Sequence, residues 1–328
     1  MKAKLGELQM RMSSIEICAG AGGQALGLEQ AGFDHVSLVE LEPAACQTLR
    51  INRIHWNVTQ GDLRHYSAGS WKGIELLAGG VPCPPFSKAG KQLGSADDRD
   101  LFPEAIRLVD ECKPQAVMLE NVRGLLDTVF DEYRAKLISD LHALGYAAEW
   151  RLLNASDFGV PQLRPRVVFV ALKKSAAEYF IWPKPDISPP PTVGEALFDL
   201  INANGWRGAK HWQARASDIA PTLVGGSKKH GGPDLGPTRA KKAWASIGVD
   251  GMGIADAAPD RDFDGMPRLT VRMAARIQGF SDDWQFSGKK TSAYRQIGNA
   301  FPPPVARAVG TQIAAALNAA AKPKLKRA

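Results

Sequence analysis

A cysteine in a proline-rich loop is the residue of this sequence best placed to act as a nucleophile. Cys83 sits in the run Gly80, Val81, Pro82, Cys83, Pro84, Pro85, Phe86, Ser87, just after an apolar stretch at 76–78. Prolines stiffen the chain around it where a buried strand ends, whereas a structural cysteine lies among apolar residues inside an element; apolar filler is the alternative. The loop that follows, 88–100, carries Gly90, Gly94 and several charges, as a lid or a plain surface loop would. Glu120 ends a second apolar run and precedes Asn121. Because a lone buried carboxylate is costly, Glu120 reads as an acid or base, as the acceptor of a fixed hydrogen bond, or as a helix cap. Gln162, Arg164 and Arg166 alternate along an extended run and so share a face. They form a donor row suited to phosphate or a pyrimidine carbonyl, or else a solvated strand edge.

Cofactor chemistry is suggested nearer the N-terminus. Gly20, Gly22 and Ala25 make a G-x-G-x-x-A turn, and Glu40 follows twenty residues after Gly20. Glycines let the backbone approach a ligand closely, and an acid at the next strand end accepts from ribose hydroxyls. An adenosine-containing cofactor is expected, with NAD and S-adenosyl-L-methionine both open at this point. Asp62 follows a short third strand and reads either as acceptor for an adenine amino group or as a turn aspartate.

The elements that must position these residues alternate. Apolar, β-branched runs at 13–18, 35–39, 74–78, 116–120 and 166–172 predict strands, and 24–31, 43–53, 102–111 and 129–144 predict the helices between them. The class is α/β: a mostly parallel, doubly wound sheet whose ligands bind at the carboxyl ends of its strands. After residue 173, Pro183, Pro185, Pro189, Pro190 and Pro191 break the chain. From there to about residue 268, Gly, Pro, Lys and Arg without regular period predict a smaller, loop-rich second domain. Helices are expected again at 272–278 and 304–321, followed by a frayed basic tail.

Composition agrees with two domains. The 328 residues are 45% hydrophobic and 23% charged, which excludes disorder and collagen-like structure. Net charge is +7, unevenly spread: residues 1–150 hold 15 Lys and Arg against 20 Asp and Glu, and residues 151–328 hold 26 against 14. That asymmetry points the second half at a polyanion, nucleic acid first. Cys18, Cys46, Cys83 and Cys112 form no C-x-x-C pair, so neither a metal site nor a disulfide framework is expected. With no run near the roughly 18 apolar residues needed to span a bilayer, a cytoplasmic, nucleoid-associated protein is expected.

Taken in order, these motifs resemble the DNA (cytosine-5) methyltransferases of bacterial modification systems. The resemblance rests on Glu16 to Gly23, Gly80 to Ser87, Glu120 to Val122, Gln162 to Arg166, Arg272 to Phe280 and Arg295 to Ala300, and it spans nearly the whole chain. Pro82-Cys83 and Glu120-Asn121-Val122 are its most specific parts. Two positions depart from the family: Cys18 stands where an aromatic residue is usual, and Leu41 where a Trp commonly follows the acid.

The resemblance implies a Rossmann-like catalytic domain of residues 1–185 plus 291–328 and a target-recognition domain of residues 186–290. It implies S-adenosyl-L-methionine as cofactor, without a metal, held by Cys18, Ala19, Gly20, Gly22, Gly23, Glu40, Leu41, Asp62, Leu63, Pro82, Asn299 and Ala300. Cys83 would add to carbon 6 of cytosine, Glu120 would serve N3, and Arg166 would hold O2 with Arg164 and Gln162 in support. Duplex DNA, with the target base flipped out, would be contacted by Ser87, Gln162, Thr222, Leu223, Lys228, Lys229 and Arg239. A monomer is expected; whether a cognate restriction endonuclease exists is open from the sequence, and such an enzyme would need no contact with this chain. An RNA substrate, an inactive DNA-binding relative and NAD-dependent oxidoreduction are the alternatives; methyl incorporation into DNA against tRNA, adduct formation and NAD binding separate them.

Overall fold

The computed structural model describes residues 11–82, 100–225 and 234–322. Cys83, Ser87, Lys228 and Lys229 lie outside the described residues, as does most of the 88–100 loop, read above as a lid or a plain surface loop.

A seven-stranded sheet organises the molecule. Its strands are β1 (Met12–Ile17), β2 (Phe33–Glu40), β3 (Val58–Gln60), β4 (Leu76–Gly79), β5 (Ala116–Val122), β6 (Tyr146–Asn154) and β7 (Pro165–Lys173), in the spatial order β3-β2-β1-β4-β5-β7-β6. The first five pair in parallel, and β7 runs antiparallel to both β5 and β6. The chain winds outward from β1 through β2 to β3, then returns to place β4 on the other side of β1. Strand order therefore reverses between β1 and β4, and a crevice opens beyond their carboxyl ends. Both strands are fully buried at Ile15, Ile17, Leu76, Leu77 and Ala78, as helices on both faces require.

Helices α1 (Gly23–Gln30), α2 (Pro43–Asn52), α3 (Phe102–Cys112), α4 (Asp131–Ala143) and the short α5 (Lys174–Ala177) cover the sheet. In α3 the buried Phe102, Ala105, Leu108, Val109 and Cys112 recur at helical spacing and face the core. The C-terminal α11 (Pro303–Ala321) packs against α1 so closely that a methyl group on Gly27 would collide with the Pro303 carbonyl and lie 2.6 Å from the Ala306 side chain. Glycine is what lets these helices touch.

The second half is more regular than its composition predicts. It holds α6 (Val193–Ile201), α7 (Ala209–Arg215), α8 (Thr238–Ser246), α9 (Val271–Ile277) and α10 (Lys290–Asn299). Of these only α9 was expected. Thr192 and Glu195 form a reciprocal capping box that starts α6, a signal present in the sequence. Trp206, Trp212, Leu235, Trp244 and Leu269 build an apolar core there. That core is continuous with the glycine turn: Trp284 Nε1 donates to the Ala21 carbonyl at 3.1 Å, and a methyl on Gly22 would lie 2.8 Å from the Trp284 ring. Strand β6 was also unforeseen, because it is an edge strand whose exposed charges blur the alternation.

Among the described residues, no helix is long and apolar enough to cross a membrane and no group of three or more His, Cys, Asp and Glu could hold a metal ion.

Candidate active site

A cavity of about 500 Å³ occupies the crevice where the strand order reverses. The turn leaving β1 forms its floor. Cys18 and Gly20 take left-handed backbone angles, φ +50° and +54°, and the Ala19 amide returns to the Val39 carbonyl at 3.0 Å. Cys18 lines the cavity, and burial, then the nearby Glu40, Glu16 and Asp62, hold its thiol protonated. It is a wall residue rather than a nucleophile.

Glu40 ends β2 and is locked in place: Oε2 accepts from the Gly20 amide and Oε1 from the Glu42 amide, both at 2.7 Å. Burial raises its carboxyl above the usual range, with the Glu42, Gly20 and Leu41 amides opposing. Asp62 caps a short 3-10 turn by accepting from the Arg64 amide at 3.0 Å and also pairs with the Arg64 guanidinium at 2.9 Å. These contacts hold its carboxyl low, the Arg64 amide most strongly. Asp62 is thus a turn aspartate that also lines the cavity, beside the buried Leu63 and the exposed Leu41.

Two residues to which the sequence reading gave no role also line this cavity. Glu16, the last residue but one of β1, is fully buried with both carboxylate oxygens unpartnered, and Gln24 has both amide atoms unpartnered. Burial pushes the Glu16 carboxyl well above its ordinary value, offset in part by the Gln24 amide beside it. Fully buried and unsatisfied polar atoms in native proteins call for a partner.

On the β4 and β5 side, Pro82 lines the cavity and its carbonyl accepts from the Leu101 amide at 3.2 Å. That bond draws together the two stems of the loop that carries Cys83. Asn121 Nδ2 donates to the Val81 carbonyl at 2.8 Å, fixing the same stem to β5. Glu120 lies against Gly80, where an added methyl would stand 3.2 Å from Oε2. Its Oε1 pairs with Arg166 Nε at 2.8 Å; Glu120 is buried and the Arg166 side chain is 13% exposed. Burial raises the Glu120 carboxyl, and Arg166, then Arg164, pull it back. The group is therefore disposed to hold a proton, as an acid serving a ring nitrogen must.

The expected donor row is not displayed. Gln162 and Arg164 are fully buried, and the Gln162 amide and both Arg164 Nη groups donate within the protein, while Arg164 Nε has no partner among the described residues. Arg164 donates to the Leu223 carbonyl at 2.7 Å, the Gly298 carbonyl at 2.7 Å and the Ala300 carbonyl at 3.0 Å. Gln162 Nε2 donates to Gln278 Oε1 at 2.8 Å, and its Oε1 accepts from the Leu223 amide at 2.8 Å. Alternation places these side chains on one face, but that face packs against 223, 278 and 298–300, segments far away in sequence. Arg166 alone of the row reaches Glu120. Leu223 is likewise buried and offers no surface to a duplex, whereas the Thr222 hydroxyl donates to the Leu163 carbonyl. Arg239 is exposed on α8. Asn299 and Ala300 line the cavity, joined by Ser292, Arg295 and Gln296, to which the sequence reading gave no role although their spacing on α10 makes one stripe.

Comparison with known proteins identifies the family and the fold. The family model for C-5 cytosine-specific DNA methylases matches residues 12–315. The chain is 60% identical over 311 residues to the Type II methyltransferase M.NgoMIV of Neisseria gonorrhoeae, covering 94% of this chain and 99% of that protein. It is 61% identical over 310 residues to the Type II methyltransferase M.NaeI of Lentzea aerocolonigenes, covering 93% and 75%. Among solved structures it resembles a candidate DNA modification methyltransferase encoded in an Escherichia coli prophage, at 25% identity and a TM-score of 0.65 over 94% of this chain and 99% of that one. The fold is also that of the Entamoeba histolytica methyltransferase EhMeth, with a TM-score of 0.66 at 14% identity, covering 93% of this chain and 98% of that one.

Proposed function

The chain belongs to the C-5 cytosine-specific DNA methylase family and is a DNA cytosine-5 methyltransferase, and from that premise we propose that it methylates a flipped-out cytosine in a specific duplex sequence through Cys83, with S-adenosyl-L-methionine as donor. The observation that carries this reading is Glu120 at the cavity wall, held by Arg166 and one strand away from the stem of the Cys83 loop.

The cavity fits the cofactor. Glu40 keeps carboxylate lone pairs for ribose hydroxyls, Asp62 and Leu63 flank the space for an adenine, and the orphaned oxygens of buried Glu16 would receive the ammonium group. Gly20, Asn299 and Ala300 complete the wall. When bound, the cofactor supplies a methyl group on a sulfonium sulfur and leaves as S-adenosyl-L-homocysteine.

Carbon 5 of cytosine is a poor nucleophile, so the protein must enrich it. The Cys83 thiolate adds to carbon 6, and the electron pair of the 5,6 double bond becomes available at carbon 5 for the methyl group. Glu120 holds a proton at N3 and Arg166 donates to O2, so charge drawn into the ring is stabilised as it develops. Water then removes the carbon 5 proton, the pair re-forms the double bond, and the thiolate departs.

A base inside a duplex cannot reach such a cavity, which makes base flipping a requirement. We assign residues 186–290 to target recognition and the remainder to catalysis, with Thr222, Arg239, Lys228, Lys229 and Ser87 contacting DNA. As a monomeric cytoplasmic modification enzyme, the protein would protect sites also cut by a partner restriction endonuclease. Incubation of mixed-sequence DNA with the enzyme and cofactor, followed by bisulfite sequencing, tests the reading. Protected cytosines within one recurring sequence are expected, and uniformly converted DNA would refute it.

A further inference from the structure

The α10 side of the cavity contains a charge that the chemistry above does not use. Ser292, Arg295, Gln296 and Asn299 follow helical spacing, so they present one polar stripe to the cavity, and all four line it. Gln296 is committed to the protein, accepting from Thr48 Oγ1 at 2.6 Å and donating to the Ser287 carbonyl at 2.8 Å. Arg295 is not committed. Among the described residues the cavity wall holds two cationic side chains, Arg64 and Arg295. Arg64 is paired with Asp62, whereas the Arg295 guanidinium has no hydrogen bond or ion pair among the described residues.

The surroundings make that freedom informative. Glu16, Glu40, Glu42, Asp62 and Glu120 also line the cavity, so its wall is acidic apart from these two arginines. An acidic wall suits ribose hydroxyls and an ammonium group but repels a carboxylate. A ligand with both poles on its amino-acid end needs one cationic point in such a wall, and the unpaired guanidinium supplies it. Position agrees: α10 borders the cavity from α2, where Gln296 meets Thr48, to the glycine turn, over which the amino-acid end would run. There the α10 end lies against the start of α1, since a methyl on Gly23 would stand 3.2 Å from the Ala300 side chain.

Resting on the cofactor reading above, we propose that Arg295 anchors the α-carboxylate of the cofactor's amino-acid end. Guanidinium and carboxylate pair through two parallel N–H donors, which fixes orientation as well as charge. The residue binds and positions; it takes no part in proton transfer.

Calorimetric titration without DNA tests this with two ligands. S-adenosyl-L-homocysteine carries the amino-acid end, and 5′-methylthioadenosine lacks it. Arg295→Met and Arg295→Gln are expected to weaken S-adenosyl-L-homocysteine binding about 10- to 100-fold, the range of a charge-assisted hydrogen bond, and to leave 5′-methylthioadenosine binding unchanged; Arg295→Lys recovers part of the loss. Circular dichroism melting of each variant checks that it folds. Unchanged S-adenosyl-L-homocysteine affinity in both neutral variants, or an equal loss for both ligands in a folded variant, overturns the assignment. A wild-type protein that binds neither ligand instead overturns the cofactor reading beneath it.

Discussion

Arg166 Nε stands 2.8 Å from Glu120 Oε1, and the pair is a diagonal neighbour across two antiparallel strands. In the β5–β7 register Val122 faces Arg166 and Glu120 faces Val168, so the two charged side chains emerge on one face, two residues apart. Because β7 runs against its parallel neighbours, its first residues arrive beside the carboxyl end of β5. A topological irregularity thereby brings a guanidinium to a carboxylate at the mouth of the site.

Removing one partner of this buried pair strands the other. Arg166→Met should cost about 3–5 kcal/mol of folding stability, read from urea unfolding. Glu120→Gln keeps the shape but cannot give a proton to N3, and kcat should fall about 10²- to 10⁴-fold with duplex binding retained in a gel-shift assay.

Arg164 should behave differently. Its guanidinium satisfies carbonyls of Leu223, Gly298 and Ala300, and each acceptor left unsatisfied costs about 1–3 kcal/mol. Arg164→Met is expected to lose several of these increments in urea unfolding, with Arg164→Lys intermediate. A fully stable Arg164→Lys enzyme with abolished kcat would show a direct chemical role instead.

Glu16 predicts an unusual pH response. A carboxyl raised by burial binds protons more tightly folded than unfolded, so its cost to the cofactor-free protein is absent below the ordinary Glu range, about pH 4.3, and grows as pH rises towards the folded value. Glu16→Gln should therefore raise Tm at pH 8, with the gain shrinking towards pH 4.5. Calorimetry across that range checks the sign, and the same variant should bind S-adenosyl-L-homocysteine more weakly.

DNA contacts divide by burial. Arg239→Ala should lower the slope of log affinity against log salt by about one unit, as loss of one phosphate contact does. Leu223→Ala should leave that slope intact and instead cost about 2–5 kcal/mol of stability, since its side chain is in the core.

Local pattern made much of this legible. The parallel strands, the glycine turn, Glu40 and Glu120 follow from period and spacing within a few tens of residues, and the structure places Glu40 and Glu120 in one cavity. What stayed hidden depends on distant partners. Gln162 and Arg164 alternate with Arg166, yet only packing against 223, 278 and 298–300 decides that they face inward. Glu16 stands in a quoted motif but received no role there, because only the folded structure shows its carboxylate fully buried beside Gln24. The helices of the second half are short, with α6 of nine residues and α7 of seven, too brief for period to outweigh their Gly and Pro surroundings. The negative and positive halves of the chain also do not map onto two separate cores, since Trp284 from the basic half backs the cofactor turn.

Covalent trapping tests the central claim, that Cys83 attacks cytosine beside Glu120. Duplex DNA synthesised with 5-fluorocytosine throughout, which cannot lose its carbon 5 substituent as a proton, is incubated with enzyme and S-adenosyl-L-methionine and run on a denaturing gel. The wild-type protein should form a DNA-linked band that Cys83→Ala lacks and Glu120→Gln accumulates far more slowly. A DNA-linked band of full strength from Cys83→Ala would contradict the account.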